Sequence, residues 1–228
     1  MTRVEKIGNA TLYLGDCMEF MATQPDKSFD LAIVDPPYGI GASEMTMGSG
    51  KNKAYAKGKK WDNVPPGAAY FAELFRVSKH QIIWGGNYFP LPLTKCWIFW
   101  DKGIDGDCSF ADGELAWGSF DTVLRKADVR YKGFLGADTE RVHPTQKPIK
   151  LYSWLLEKYA RQGWRLLDTH LGSGSSAIAA NAYGCQFTGI ELDGDYFDAA
   201  CGRVARAHAQ GQLFEPTQAA PVQLGLEA

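Results

Sequence analysis

The sequence predicts an α/β fold, a doubly wound and mostly parallel sheet carried by a single domain over residues 1–211. Three observations predict it. Short apolar runs ending in an acid or a glycine, such as Asp30–Asp35 and Gln81–Gly85, alternate with stretches whose apolar residues recur at helical spacing. One strand–helix–strand unit is explicit: Arg165–His170, Ser175–Tyr183 and Gln186–Leu192. The two motifs richest in chemistry both follow a predicted strand, and ligands in open α/β sheets bind beyond the carboxyl ends of strands.

In chain order, Thr11–Asp16 reads as a short strand and Cys17–Thr23 as a short helix. Asp30–Asp35 is a buried strand stopped by Pro36 and Pro37, because proline cannot continue a ladder of hydrogen bonds. The stretch Gly39–Lys60 is rich in Gly, Ser, Lys and Asn without periodicity and reads as a long mobile loop, a kind usually tied to function. Pro66–Ser78 carries Ala69, Phe71, Ala72, Leu74 and Phe75 at helical spacing. Gln81–Gly85, Cys96–Trp100 and Glu114–Phe120 read as strands, the last two rich in aromatics. Arg125–Arg141 receives no assignment. Pro148–Ala160 is a helix with proline at its start, where the missing N–H costs nothing. A final helix runs from about Tyr196 to Ala209, and the tail 212–228, with no Lys or Arg, reads as loosely ordered.

Composition bounds the function. With 228 residues, 45% hydrophobic and 22% charged, the chain has the make-up of an ordinary soluble globular domain. No run approaches the apolar length that spans a membrane, and Met1–Gly15 lacks the basic-then-apolar pattern of a secretory signal. Cys17, Cys96, Cys108, Cys185 and Cys201 are scattered and form no Cys-x-x-Cys pair. Neither a metal site nor a disulfide framework is expected, and a reducing cytoplasm fits best. The formal net charge is −2, but charge is unevenly placed. Lys51, Lys53, Lys57, Lys59 and Lys60 crowd one segment; Arg125, Lys126, Arg130, Lys132, Arg141, Lys147 and Lys150 crowd another.

Asp168-Thr169-His170-Leu171-Gly172-Ser173-Gly174-Ser175 joins a buried strand to a helix. Gly172 and Gly174 permit positive φ and close backbone approach, and the amino end of the following helix favours an anionic group. Glu191, at the end of the next strand, can accept both hydroxyl protons of a ribose. This spacing, with Ala177, also satisfies the Gly-x-Gly-x-x-Ala dinucleotide fingerprint, so by itself it does not separate a nicotinamide enzyme from a methyltransferase.

Asp35-Pro36-Pro37-Tyr38 is more specific. An exocyclic amine of adenine or cytosine is a poor nucleophile because its lone pair is delocalised into the ring. Two acceptors that hold both amine hydrogens draw the nitrogen toward tetrahedral geometry and free that pair. Asp35 supplies one acceptor, the Pro36 carbonyl the other, Pro37 stiffens the turn, and Tyr38 can stack on the base for about 1–3 kcal/mol. Such a base has to leave the duplex.

On these residues the chain resembles the amino-methyltransferases of bacterial and phage DNA modification in their β arrangement, from about Leu12 to Arg206. That family's catalytic motif matches Asp35–Tyr38, and its cofactor motif matches Asp168–Gly174 with His170 standing where the family has Phe. The resemblance implies a Rossmann-like sheet of the S-adenosylmethionine-dependent type with circularly permuted motif order. It implies S-adenosylmethionine as cofactor, no metal, and double-stranded DNA as substrate. Asp at the first catalytic position points to N6 of adenine, with N4 of cytosine as the alternative. It further implies that Asp16 contacts the cofactor adenine and that Thr145 and Lys147 lie near its methionine end. Asp168, His170, Gly172, Ser173, Gly174, Ser175 and Glu191 line the rest. Segments 39–62 and 101–142 are the candidate DNA-reading insertions, Ile82–Phe89 and Trp97–Lys102 the strands near the base pocket, and a homodimer the expected assembly.

Overall fold

The structure is a computed structural model and describes residues 3–40, 64–103, 111–130, 142–143 and 145–211. Most of the two candidate DNA-reading segments, Cys108 and the tail 212–228 lie outside the described residues.

Nine strands are described: β1 (Arg3–Ile7), β2 (Ala10–Leu14), β3 (Phe29–Val34), β4 (Ser78–Trp84), β5 (Trp97–Asp101), β6 (Gly113–Gly118), β7 (Arg125–Asp128), β8 (Arg165–Asp168) and β9 (Gln186–Glu191). The helices are α1 (Cys17–Ala22), α2 (Ala68–Val77), α3 (Ile149–Tyr159), α4 (Ser175–Tyr183) and α5 (Gly194–Ala209). The strands form one sheet in the order β1-β2-β9-β8-β3-β4-β6-β5-β7. The five strands β2, β9, β8, β3 and β4 run parallel. β6 runs antiparallel to both β4 and β5, β7 parallel to β5, and β1 antiparallel to β2. The sheet is therefore mixed, with a parallel centre.

The strands read from the sequence are present, shifted by up to three residues at their ends. Two more were not foreseen. β1 carries Arg3, Glu5 and Lys6 and is largely exposed, so it lacks the apolar signature of a core strand. β7, at the far edge, buries Ala127 alone.

Burial on both faces explains the continuous apolar run of β3. Leu31 and Ile33 point into the layer built with α3, α4 and α5. Ala32 and Val34 point into the layer built with α1 and α2. Two helix ends carry clear local signals. Asp193 caps α5 by accepting from Asp195 N and Tyr196 N, and α4 stops at Gly184 with φ of +85°.

The sheet order fixes where a site can be. From β8 the chain crosses through α4 to β9 on one side; from β3 it crosses through α2 to β4 on the other. The two crossovers diverge between β8 and β3, and a crevice opens beyond the carboxyl ends of strands at such a switch point.

Candidate active site

Every motif read from the sequence lands on that one edge. Asp35 follows β3, Asp168 ends β8, Glu191 ends β9 and Asp16 follows β2, all strands of the parallel centre. The Asp35–Tyr38 turn and the glycine-rich turn thus leave neighbouring strands in the same direction.

Asp35 sits in a charged cluster. The Tyr38 hydroxyl donates to Asp35 Oδ1 at 2.6 Å, and Lys147 Nζ donates to Oδ2 at 2.5 Å. Lys147 Nζ also lies 3.1 Å from Glu114 Oε2 on β6 and 3.4 Å from the Tyr38 oxygen. Lys102, just past β5, holds the other Glu114 oxygen at 2.8 Å. Burial pushes the Asp35 carboxyl above its ordinary value and Glu114 adds to this, while Lys147 pulls it back. Burial pulls the Lys147 ammonium down, but the carboxylates of Asp35 and Glu114 outweigh it and the net direction is up. For Glu114 burial acts upward, and Lys147 and Lys102 bring the carboxyl below its usual range.

The Tyr38 ring is set by glycine. Gly85 has φ of +65°, and a Cβ there would fall 2.2 Å from a Tyr38 ring carbon. On the short 3-10 turn Gly86–Tyr88, the exposed Tyr88 ring stacks on Tyr38 with centroids 5.1 Å apart and planes 16° from parallel. Phe89 meets the Tyr38 ring edge-on at 6.2 Å.

The glycine-rich turn is held from three sides. Asp168 accepts from the Ser176 hydroxyl at 2.6 Å and from His170 N at 3.0 Å. Burial pushes Asp168 up to about 7. Glu191 accepts from Gly172 N at 2.8 Å and from Asp193 N at 2.9 Å, one bond to each oxygen. Arg203 of α5, almost fully buried, donates to the Ser173 carbonyl at 2.7 Å and to Ser175 Oγ at 3.0 Å. Gly174 is left-handed at φ +74°, and a Cβ there would sit 3.1 Å from Val204. No side chain caps the amino end of α4, so its first-turn N–H groups face the crevice without a side-chain acceptor. His170 packs edge-on against Tyr70 at 5.5 Å, its Nδ1 2.9 Å from Thr169 Oγ1. Burial lowers it to about 4, so it is neutral at neutral pH.

The segment before α3 joins the two turns. His143 packs on Tyr196 of α5 at 4.4 Å and lies beside Gly172. Thr145 Oγ1 is 3.2 Å from His143 Nδ1, and two residues on Lys147 reaches Asp35. Asp16, exposed at the rim, caps α1 by accepting from Met18 N at 2.6 Å. Among the described residues no group of three or more His, Cys, Asp or Glu is arranged to hold a metal ion.

The family whose members are described as DNA methylase, with N6 and N4 activities in its name, matches residues 79–201 of the chain. The chain belongs to the DNA methylase family. A methylase of Escherichia coli (strain K12) named YubD is 29% identical over 224 residues, covering 86% of this methylase and 92% of its relative. A DNA modification methylase of Thermus thermophilus, solved with S-adenosyl-L-methionine, shares the fold with a TM-score of 0.54 at 20% identity. That match covers 86% of this chain and 95% of the other. The cytosine-N4-specific PvuII DNA methyltransferase superposes with a TM-score of 0.55 at 12% identity over 90% of this chain and 93% of its own.

Of the residues in this candidate site, Glu114 and Arg203 were not singled out in the sequence, and Lys102 and Tyr88 entered only as members of the segments Trp97–Lys102 and Ile82–Phe89 expected near the base pocket. Glu114 and Lys102 sit in or beside aromatic strands, where a charge is the available signal. Arg203 falls on the apolar stripe of α5 formed by Tyr196, Phe197, Ala200 and Val204, and a lone Arg in such a stripe is a buried anchor. Tyr88 carries no local signal at all.

Proposed function

We propose that the methylase transfers a methyl group from S-adenosylmethionine to the N6 amine of an adenine flipped out of double-stranded DNA. The observation that carries this reading is the departure of the Asp35 turn and the glycine-rich turn from adjacent parallel strands, β3 and β8, on one edge of the sheet. An acceptor for an amine and a cradle for a charged cofactor thereby face one crevice.

The cradle suits S-adenosylmethionine on its own terms. The uncapped amino end of α4 offers N–H groups to a carboxylate. Each Glu191 oxygen accepts one backbone N–H and keeps lone-pair capacity for ribose hydroxyls. Gly172 keeps the turn free of a side chain on its open side, Gly174 lets the turn close on Val204 and Ala200 of α5, and Ser173 and Ser175, tied to Arg203, fix its shape. Asp16 at the rim, Thr145, whose hydroxyl meets the His143 ring beside Gly172, and His170 complete the proposed lining. When bound, S-adenosylmethionine supplies an electrophilic methyl on a positively charged sulfur.

The chain's own residues do the rest. Asp35 and the Pro36 carbonyl take the two amine hydrogens and turn the nitrogen lone pair out of the ring. Pro37 stiffens the turn. Tyr38 offers its ring to the base, in the place where Tyr88 now stacks. No strong base is required beforehand, because the amine proton leaves after the carbon–nitrogen bond has formed. Positioning is the main contribution.

Asp35→Ala is expected to cut tritium transfer from labelled S-adenosylmethionine to DNA by roughly a hundredfold or more, the scale of losing a positioned polar group at the reacting atom. Cofactor binding by calorimetry is expected to hold. Undiminished transfer removes Asp35 from the mechanism. Mass spectrometry of nucleosides from the modified DNA decides between N6-methyladenine and N4-methylcytosine, the latter overturning the adenine assignment. Segments 39–62, which is lysine-rich, and 101–142 are the proposed DNA-reading parts. A second copy of the chain reading a two-fold site is the proposed assembly.

A further inference from the structure

We infer that Lys147 is a positioning residue for methyl transfer: its ammonium, clamped between Asp35 and Glu114, keeps Asp35 an ionised acceptor turned toward the amine. The inference rests on the reading of Asp35 given above and adds the group that sets its charge and direction.

The Lys147 side chain is 3% exposed. Its ammonium faces three oxygens: it donates to Asp35 Oδ2 at 2.5 Å and to the Tyr38 hydroxyl at 3.4 Å, and forms an ion pair with Glu114 Oε2 at 3.1 Å. The Trp84 ring lies 5.1 Å away as an apolar wall. Glu114 is in turn fixed by Lys102, so the clamp is anchored from β5, β6 and the segment before α3. Buried ion pairs are rarely worth their desolvation as stabilisers, since apolar residues of the same volume do as well or better. A buried lysine aimed at the amine acceptor is therefore more readily explained by what it does to Asp35.

The acceptor role demands an ionised Asp35, because a protonated carboxyl presents an O–H and loses acceptor capacity. Burial works against ionisation there. The groups around Asp35 are Tyr38 on its own turn, Lys147 before α3, Glu114 on β6 and Asp168 on β8, with Tyr70 of α2 and Tyr152 of α3 at longer range. Of these only Lys147 is cationic. Lys147 also occupies Oδ2, leaving Oδ1, which carries the exchangeable Tyr38 hydroxyl, for the amine.

The test is kcat against pH on the full chain, at saturating DNA and S-adenosylmethionine, for wild type, Lys147→Met, Lys147→Arg and Glu114→Gln. Loss of the Lys147 charge lets Asp35 keep its proton to higher pH. The acid limb of Lys147→Met is therefore expected to move up, each unit costing about tenfold in activity below the limb and recovering above it. Glu114→Gln removes a neighbouring negative charge, so its limb is expected to move down. Lys147→Arg keeps the charge and the limb. A merely structural role lowers kcat evenly at every pH. An unmoved limb in Lys147→Met, or limbs moving the same way in Lys147→Met and Glu114→Gln, overturns the inference. So does a Lys147→Met variant whose main defect is cofactor affinity by calorimetry. Should Lys147→Met fail to fold, Glu114→Gln decides by the same criterion. Asp35→Ala run alongside separates the failures: an active Asp35→Ala defeats the reading of Asp35 itself, whereas an inactive one beside an unmoved Lys147→Met limb defeats this inference alone.

Discussion

Gly85 is the residue on which the Tyr38 ring depends. Its φ of +65° is one that side chains tolerate poorly, and the place of a Cβ is already taken by the ring, 2.2 Å away. Gly85→Ala is expected to destabilise the fold by about 1–3 kcal/mol through overpacking and backbone strain. It is also expected to reduce methylation by displacing Tyr38, with cofactor affinity little changed. Urea denaturation and transfer assays check both. Asp35, Tyr38 and Gly172 could be singled out because each belongs to a motif whose residue types have few other reasons to occur together, and the structure places them on one edge of the sheet. The charged cluster around Asp35 could not be: Glu114, and Lys102 that holds it, lie far from Asp35 in sequence, and nothing local announces which strand will pass beside which. Lys147 was read only as a residue near the cofactor's methionine end, and its ammonium lies on Asp35.

At the scale of elements, α5 does more than cover the sheet. Arg203 reaches from its buried face to the Ser173 carbonyl and Ser175 Oγ, tying the helix to the turn that precedes α4. Replacing it with Met keeps much of the volume but leaves buried acceptors without a donor, at a cost of roughly 1–3 kcal/mol for such a group. The turn is then expected to loosen, and S-adenosylmethionine affinity to fall by about tenfold, equivalent to about 1.4 kcal/mol. Calorimetry reads the second effect, thermal melting the first. The strand–helix–strand unit around this turn was legible because its strands are apolar runs and its helix is bounded by glycines. β1 and β7 were not, because edge strands bury few side chains and their charged residues erase the pattern by which strands are recognised.

The whole molecule carries two buried groups whose titration acts in opposite directions on stability. Asp168 is held up to about 7 against an ordinary 3.8. Between those values the folded chain keeps a proton that the unfolded chain has released, so stability falls as pH rises. His170 is held down to about 4 against 6.5. Between those values the unfolded chain binds a proton that the folded chain refuses, so stability rises with pH. Denaturation followed against pH is expected to show Asp168→Asn gaining on wild type as pH rises toward 7, and His170→Phe gaining as pH falls from 6.5 toward 4. A constant difference across those windows contradicts the assignment. The alternation of strands and helices made the doubly wound core legible, whereas the mixed β6-β5-β7 side depends on long-range pairing that periodicity does not encode. The short run that rests His143 against Gly172 and sets Lys147 on Asp35 is a mechanical strap across the two halves of the crevice. On the proposed reading, this strap spans the seats of methyl donor and methyl acceptor, which links binding at one to binding at the other. Reciprocity then requires any factor by which one substrate improves the hold on its partner to be returned in full, so the order of arrival changes the path but never the strength of the ternary complex.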